Sequence, residues 1–186
     1  MSEQERPALP HLTTEFLQWF WWASEREEGR VDLGEGAGIV DFWVDQRLSF
    51  RGPGEDRARA VLTGENPSAA LEARAALAGG KIVQDLQIGI RREGREYTAI
   101  LRGPHMDVAA AKLPTECKGG EDEVLYERMF LYEDLFFVVR ALYRRFAQER
   151  TSPDWASVHL PAMRAWAAAG LEATAPDLDP EGSEGY

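Results

Sequence analysis

The hydrophobic positions of this chain change period several times, and each change marks an element. Residues 16 to 22, Phe-Leu-Gln-Trp-Phe-Trp-Trp, put three of the six tryptophans into under two turns. Thr13 or Thr14 caps a helix predicted to run to about Arg26. Each aromatic ring brings roughly 150–250 Å² that must leave water, so the segment anchors either the domain core or a partner interface, and Trp19, Trp21 and Trp22 are the interface candidates. Glu27 to Gly38 is charged and glycine-rich and reads as a loop. From Ile39 the period becomes two: Val40, Phe42, Val44, Leu48 and Phe50 alternate with Asp41, Asp45, Arg47 and Ser49, the mark of a long half-buried strand. Trp43 falls on its polar face.

Turn signals divide the rest. The 51–54 segment, Arg-Gly-Pro-Gly, is a turn into a short antiparallel strand from Arg59 to Thr63, and Asn66-Pro67 opens a helix that Gly79-Gly80 stops. Two strands follow, Ile82, Leu86, Ile88 and Ile90 alternating with Val83, Asp85, Gln87 and Gly89, before Glu93-Gly94 turns the chain into Tyr97, Ala99 and Leu101. Val108 to Leu113 adds a further strand. Residues 121 to 149 form the longest helix, acidic at its start and arginine-rich at its end, which suits the helix dipole. Leu125, Met129, Tyr132, Phe136, Val139, Tyr143 and Phe146 form a seam with heptad spacing, and further apolar residues, Phe130 and Phe137 among them, widen it. Covering such a helix takes the sheet on one flank and another helix, or a second subunit, on the other. Ser152-Pro153-Asp154 starts a short helix, Pro161 breaks it or begins another with Trp166, and Gly170 ends the fold. The expected architecture is an α+β domain over residues 12–170, between a polar lead-in (1–11) and an acidic, disordered tail (171–186). In it a mostly antiparallel sheet of three to five strands packs against the long C-terminal helix and the aromatic-rich N-terminal helix.

Charge refines this picture. The net charge of −11 opposes a protein whose whole surface coats nucleic acid. The acids, however, are concentrated near the ends: residues 1–36 carry eight acids against three bases, and residues 38–114 carry ten against eleven. The middle of the chain is therefore free to present a basic face. Arg91, Arg92 and Arg95 gather at the hairpin tip, Arg102 lies down the next strand, and Arg47, Arg51, Arg57 and Arg59 lie near the first turn. Guanidinium groups so placed contact phosphates and position a protein on a duplex without reading bases. A lone Cys117, no apolar run long enough to span a bilayer and no leader pattern give a cytoplasmic protein, with no membrane partner, as the expectation.

Catalytic signals are sparse. Asp107 with Glu116, Cys117 and Lys118 has the residue types of a metal-dependent nuclease, but the triplet falls in a loop between Pro114 and Gly119-Gly120, where such sites use a strand. His11, His105 and His159 are not spaced as metal ligands, and Gly34, Gly36 and Gly38 precede a strand instead of opening a helix. No catalytic, cofactor or metal residue is assigned.

One resemblance remains. The run Ala78-Gly79-Gly80-Lys81-Ile82-Val83, an extended hairpin, Ala111-Lys112-Leu113-Pro114, an acidic linker and an apolar terminal helix resemble the C-terminal part of the RdgC-like recombination-associated proteins. Residues 15–22, Glu-Phe-Leu-Gln-Trp-Phe-Trp-Trp, and Tyr126-Glu127-Arg128-Met129 are similar to segments of longer, divergent bacterial members. The resemblance covers about residues 14 to 150. It implies a non-enzymatic accessory role in DNA recombination or replication, with dimers enclosing duplex DNA, and it assigns no individual DNA-contacting residue. The leading expectation is thus an RdgC-like protein acting through backbone contacts from Arg47, Arg91, Arg92, Arg95 and Arg102, or through a DNA-binding partner. The alternatives are a protein-interaction subunit that forms a homo- or hetero-oligomer through Trp19, Trp21, Trp22, Phe130 and Phe137 without DNA, and the nuclease.

Overall fold

The aromatic block near the N-terminus decides how the chain folds, because it leaves no side of its helix fit for water. In the computed structural model, which describes residues 10–34, 36–52, 59–103 and 105–172, helix α1 spans Pro10–Arg26. Phe16, Leu17, Trp19, Phe20, Trp21, Trp22 and Ala23 are all at most 4% exposed. A helix apolar all round has to be enclosed. The sheet lies on one side, where Phe20 meets Phe42 edge-on at 5.1 Å and Trp21 meets Phe50 at 6.2 Å between ring centroids. Helices close the other sides: Phe16 and Trp19 pack on Phe146, and Trp21 meets Trp166 at 5.0 Å.

The sheet is antiparallel throughout. Strands β1 (Arg30–Asp32), β2 (Ile39–Arg51), β3 (Arg59–Thr63), β4 (Ile82–Arg92), β5 (Arg95–Arg102) and β6 (Asp107–Lys112) are arranged in the order β1-β2-β4-β5-β6, with β3 also paired to β2. β1 and β3 share one edge of the long β2, at Ile39 to Asp41 and at Arg47 to Arg51, and β4 takes the other edge. Between β3 and β4 a short turn at Pro67–Ala69 leads into α2 (Leu71–Ala78). After β6 come the long helix α3 (Glu121–Thr151), a π-helical turn at Trp155–His159, and α4 (Leu160–Glu172).

Most of this follows the alternation of the sequence, and the departures have local causes. Helix α1 begins at Pro10, ahead of the expected threonine cap, with proline in the first turn where its missing N–H costs nothing. The loop expected over residues 27–38 contains β1, whose only buried residue is Val31. In β4, Val83 is buried and Ile82 exposed, the reverse of the simple alternation, because a bulge lies between the Ser49–Asp85 and Phe50–Val83 pairings. The extra residue turns Val83 and Leu86 to the same face. Helix α4 passes Gly170 and ends at Glu172, within the expected tail. The turn at residues 53 and 54, most of the lead-in and residues 173–186 lie outside the described residues.

Two carboxylates take up indole N–H groups around α1. Glu149 accepts from Trp19 Nε1 at 2.9 Å, lies beside Arg26 and Arg145, and stands 3.7 Å from His159. Burial works to raise its pKa. The tryptophan hydrogen bond and the cations outweigh it and hold the carboxyl below its ordinary value of 4.5. Glu25 accepts from Trp21 Nε1 and Trp166 Nε1, and Arg74, stacked 3.8 Å over Trp166, bonds to Glu25 as well.

On the sheet face away from the helices, Trp43 is half-buried across Gly89, its register partner. A β-carbon at Gly89 would lie 2.0 Å from the indole. Gly89→Ala is therefore expected to displace Trp43 and destabilise the fold by about 1–3 kcal/mol, as overpacking does, measured by urea denaturation; an unchanged midpoint would show that the indole moves freely.

Candidate interaction surfaces

Two surfaces stand out once the core is assigned, one apolar and one basic. The apolar one belongs to α3. Its C-terminal part turns Val138, Val139, Leu142 and Phe146 into the core, but before Leu131 no residue of the helix is buried. Leu125, Met129, Tyr132 and Phe136 form one outward row with the heptad spacing, and Tyr126, Phe130 and Phe137 form a second. All seven are 37–70% exposed. The heptad seam is thus divided: its later members fill this chain's core, and its earlier members face outward. Beside Phe136 an apolar groove of about 360 Å³, lined by Met106, Val108, Val139, Arg140 and Tyr143, separates α3 from the edge strand β6.

The tip of the β4–β5 hairpin holds this half of α3 in place. Asp134 accepts from Tyr97 Oη at 2.7 Å and from Arg92, which also donates to the Gly36 carbonyl at 2.7 Å. Arg92 lies 5.6 Å from the Phe137 ring centre, and Arg95 is equally far from that of Phe130. The turn itself is a tight one, with Glu93 and Gly94 both at positive φ, as a two-residue hairpin of this twist requires.

This arrangement corrects two expectations. The five arginines do not form one stripe. Successive strand residues point to opposite faces, so Arg92 and Arg95 turn toward α3, while Arg47, Arg91 and Arg102 occupy the helix-free face. Trp19, Trp21 and Trp22 are enclosed by this chain's own sheet and helices and offer no free surface, whereas Phe130 and Phe137 do. Met129, Tyr132 and Phe136 belong with them; their heptad spacing was the signal in the sequence.

On the helix-free face, Arg91 donates to Glu96 at 2.8 Å, and that bond and charge raise its pKa above the ordinary value. Toward the other end of β2, a recess of about 400 Å³ is lined by Arg47, Arg59, Gln84, Asp85, Ile100 and Arg102. Asp85, 9% exposed, accepts from Ser49 Oγ at 3.0 Å and from Arg59 at 2.8 Å. Asp85 and Ser49 had no sequence signal beyond their place on the polar side of two strands.

The residues of the nuclease reading are separate in kind. Asp107 begins β6 opposite Arg102, and the N–H groups of Glu116 and Cys117 donate to the Glu127 carboxylate at 2.9 and 3.0 Å. Among the described residues no three histidine, cysteine or acidic side chains are grouped to hold a metal, and no helix is long and apolar enough to cross a membrane. No family model, curated protein or solved structure matches the chain.

Burial, then the bond to Asp134 and its negative charge, push the Tyr97 phenol from 10 up to about 12. A group whose folded pKa is raised adds stability that is complete below the unfolded value and lost as pH rises through the folded one. Wild type should exceed Tyr97→Phe by about 1 kcal/mol below pH 10, and that advantage should disappear between pH 10 and 12 in urea unfolding; a constant difference across this range would refute the assignment.

Proposed function

We propose that this chain is a non-enzymatic protein-interaction domain that pairs with a second copy of itself through the outward rows of α3. The observation that carries this reading is the exposure of seven large apolar residues along one helix. At roughly half of the ~200 Å² an aromatic side chain offers, they amount to about 600–700 Å². That exceeds the usual largest apolar patch of a monomer, roughly 300–600 Å², and approaches the ~800 Å² each partner contributes to a standard interface.

Charge selects the orientation. The exposed stretch starts beyond Glu121 and Asp122 and ends before Arg140 and Arg144. Two copies crossing antiparallel at the level of Phe130 and Leu131 bring Asp122 of one beside Arg140 of the other, whereas a parallel arrangement sets like charges together. Light scattering on a size-exclusion column is expected to give about twice the 20.9 kDa chain mass. The double variant Met129→Glu, Phe130→Glu should run as a folded monomer, since neither residue supports the core. A wild-type monomer at tens of micromolar, or a dimer indifferent to the two glutamates, would rule the pairing out.

A second reading keeps the RdgC-like accessory role, with duplex DNA held on the helix-free face. It is favoured by Arg47, Arg91 and Arg102 lying on that one face. Arg91 pairs in register with Asp41, and Leu48, next to Arg47, pairs with Leu86, so the two arginines are about five residues of β4, roughly 15 Å, apart, a span a duplex backbone bridges. Three phosphate contacts predict a fall in affinity of roughly 40-fold between 50 and 200 mM salt, and Arg91→Gln should weaken binding. Absence of binding to a fluorescent duplex at low salt by the folded protein would end this reading.

A further inference from the structure

The recess on the helix-free face gathers three arginines around a single lining carboxylate. Several arginines elsewhere are matched by carboxylates: Arg92 with Asp134, Arg74 with Glu25, Arg145 with Glu27 and Arg150 with Glu15. In the recess three guanidinium groups, from Arg47, Arg59 and Arg102, meet one lining carboxylate, Asp85. That carboxylate is committed to Arg59 and Ser49. Arg47 Nε and Arg92 Nε are both buried without a hydrogen-bond partner, but Arg92 is held through its terminal nitrogens by Asp134 and the Gly36 carbonyl, whereas neither Arg47 nor Arg102 forms an ion pair among the described residues. Asp107 stands across from Arg102 in the β5–β6 register without bonding to it.

A buried donor left unsatisfied in a protein of net charge −11 calls for an acceptor from outside. We infer that the recess is a binding site for a phosphate-type oxyanion, held by Arg47, Arg59 and Arg102, with Asp85 and Ser49 positioning Arg59. Planar guanidinium groups present paired N–H donors that match the oxygens of a phosphate. Two sets of strand pairings fix the spacing of the site. Ser49, Asp85 and Arg102 lie in register across β2, β4 and β5, and Arg59 is held opposite Arg51 on β3. The volume, about 400 Å³, accepts a pyrophosphate-sized group as readily as one segment of a nucleic-acid backbone.

This inference is independent of helix pairing. It shares the recess with the duplex reading, but it does not need Arg91 and is met by a compact ligand. The test is calorimetric titration of the full chain with sodium pyrophosphate in low-salt buffer free of divalent cations, alongside a fluorescent 20-base-pair duplex. Pyrophosphate should bind with a sub-millimolar dissociation constant, and Arg47→Gln and Arg102→Gln should each weaken it at least tenfold. Both variants should remain folded by circular dichroism, because neither side chain has an ion-pair partner to lose.

If pyrophosphate binds and the duplex does not, the site takes free phosphate compounds and the duplex reading alone fails. If the duplex also binds, is displaced by pyrophosphate and weakens in the same two variants, the source is a nucleic-acid backbone. The inference is overturned if folded wild type binds neither ligand, or if any binding is unchanged in both arginine variants.

Discussion

The enclosure of α1 is the constraint on which the rest of the fold depends. Seven nearly consecutive large or apolar residues cannot be covered by a sheet alone, because a helix resting on a sheet keeps its opposite side in water. The chain answers by wrapping α1 with three further surfaces. β2 and β4 support Phe20 and Trp21 through Phe42 and Phe50, Phe146 of α3 closes over Phe16 and Trp19, and Trp166 of α4 meets Trp21. Indole N–H groups would be stranded in such a core. Glu149 and Glu25 receive them from the periphery, where arginines offset the carboxylate charge.

That demand also explains why α3 divides into two unlike halves. A helix of 31 residues is about 46 Å long, and only its C-terminal part is needed to close over α1. The earlier part continues past the core, held on one side by the β4–β5 hairpin tip, and its outward apolar rows acquire no cover among the described residues. With all helices on one side, the opposite sheet face is left to polar and basic residues, with Trp43 laid across Gly89 as its aromatic exception. The two surfaces are thus by-products of one packing problem solved on one side of a sheet.

The sequence was informative where its periodicity was clean. The alternation of β2 gave the strand and its buried face, Glu93-Gly94 located the hairpin, and the acidic start of α3 marked its first turn. It was silent where a pattern has the same form under different cover. The heptad seam from Leu125 to Phe146 reads identically whether neighbours come from the same chain or another, and only tertiary packing shows that its earlier members are exposed. The arginine cluster failed for the opposite reason: Arg91 and Arg92 are adjacent in sequence, and adjacency in a strand guarantees opposite faces. The bulge in β4 had no signal, since Gln84 and Asp85 are unremarkable on a polar face. The recess depends on that bulge, and so was legible only as a list of nearby arginines.

Asp134 gives the outward half of α3 a property its exposure alone would not. By accepting from both Tyr97 and Arg92, it fastens the helix to a hairpin that is itself part of the continuous sheet. A protruding apolar helix tethered at one end would swing, and any partner would have to arrest that motion at an entropic cost. Here the rows of Leu125 and Phe130 are fixed relative to the sheet before anything docks. A partner docking on this surface, as proposed above, would accordingly meet a preformed shape, with selectivity set by steric fit more than by adaptation.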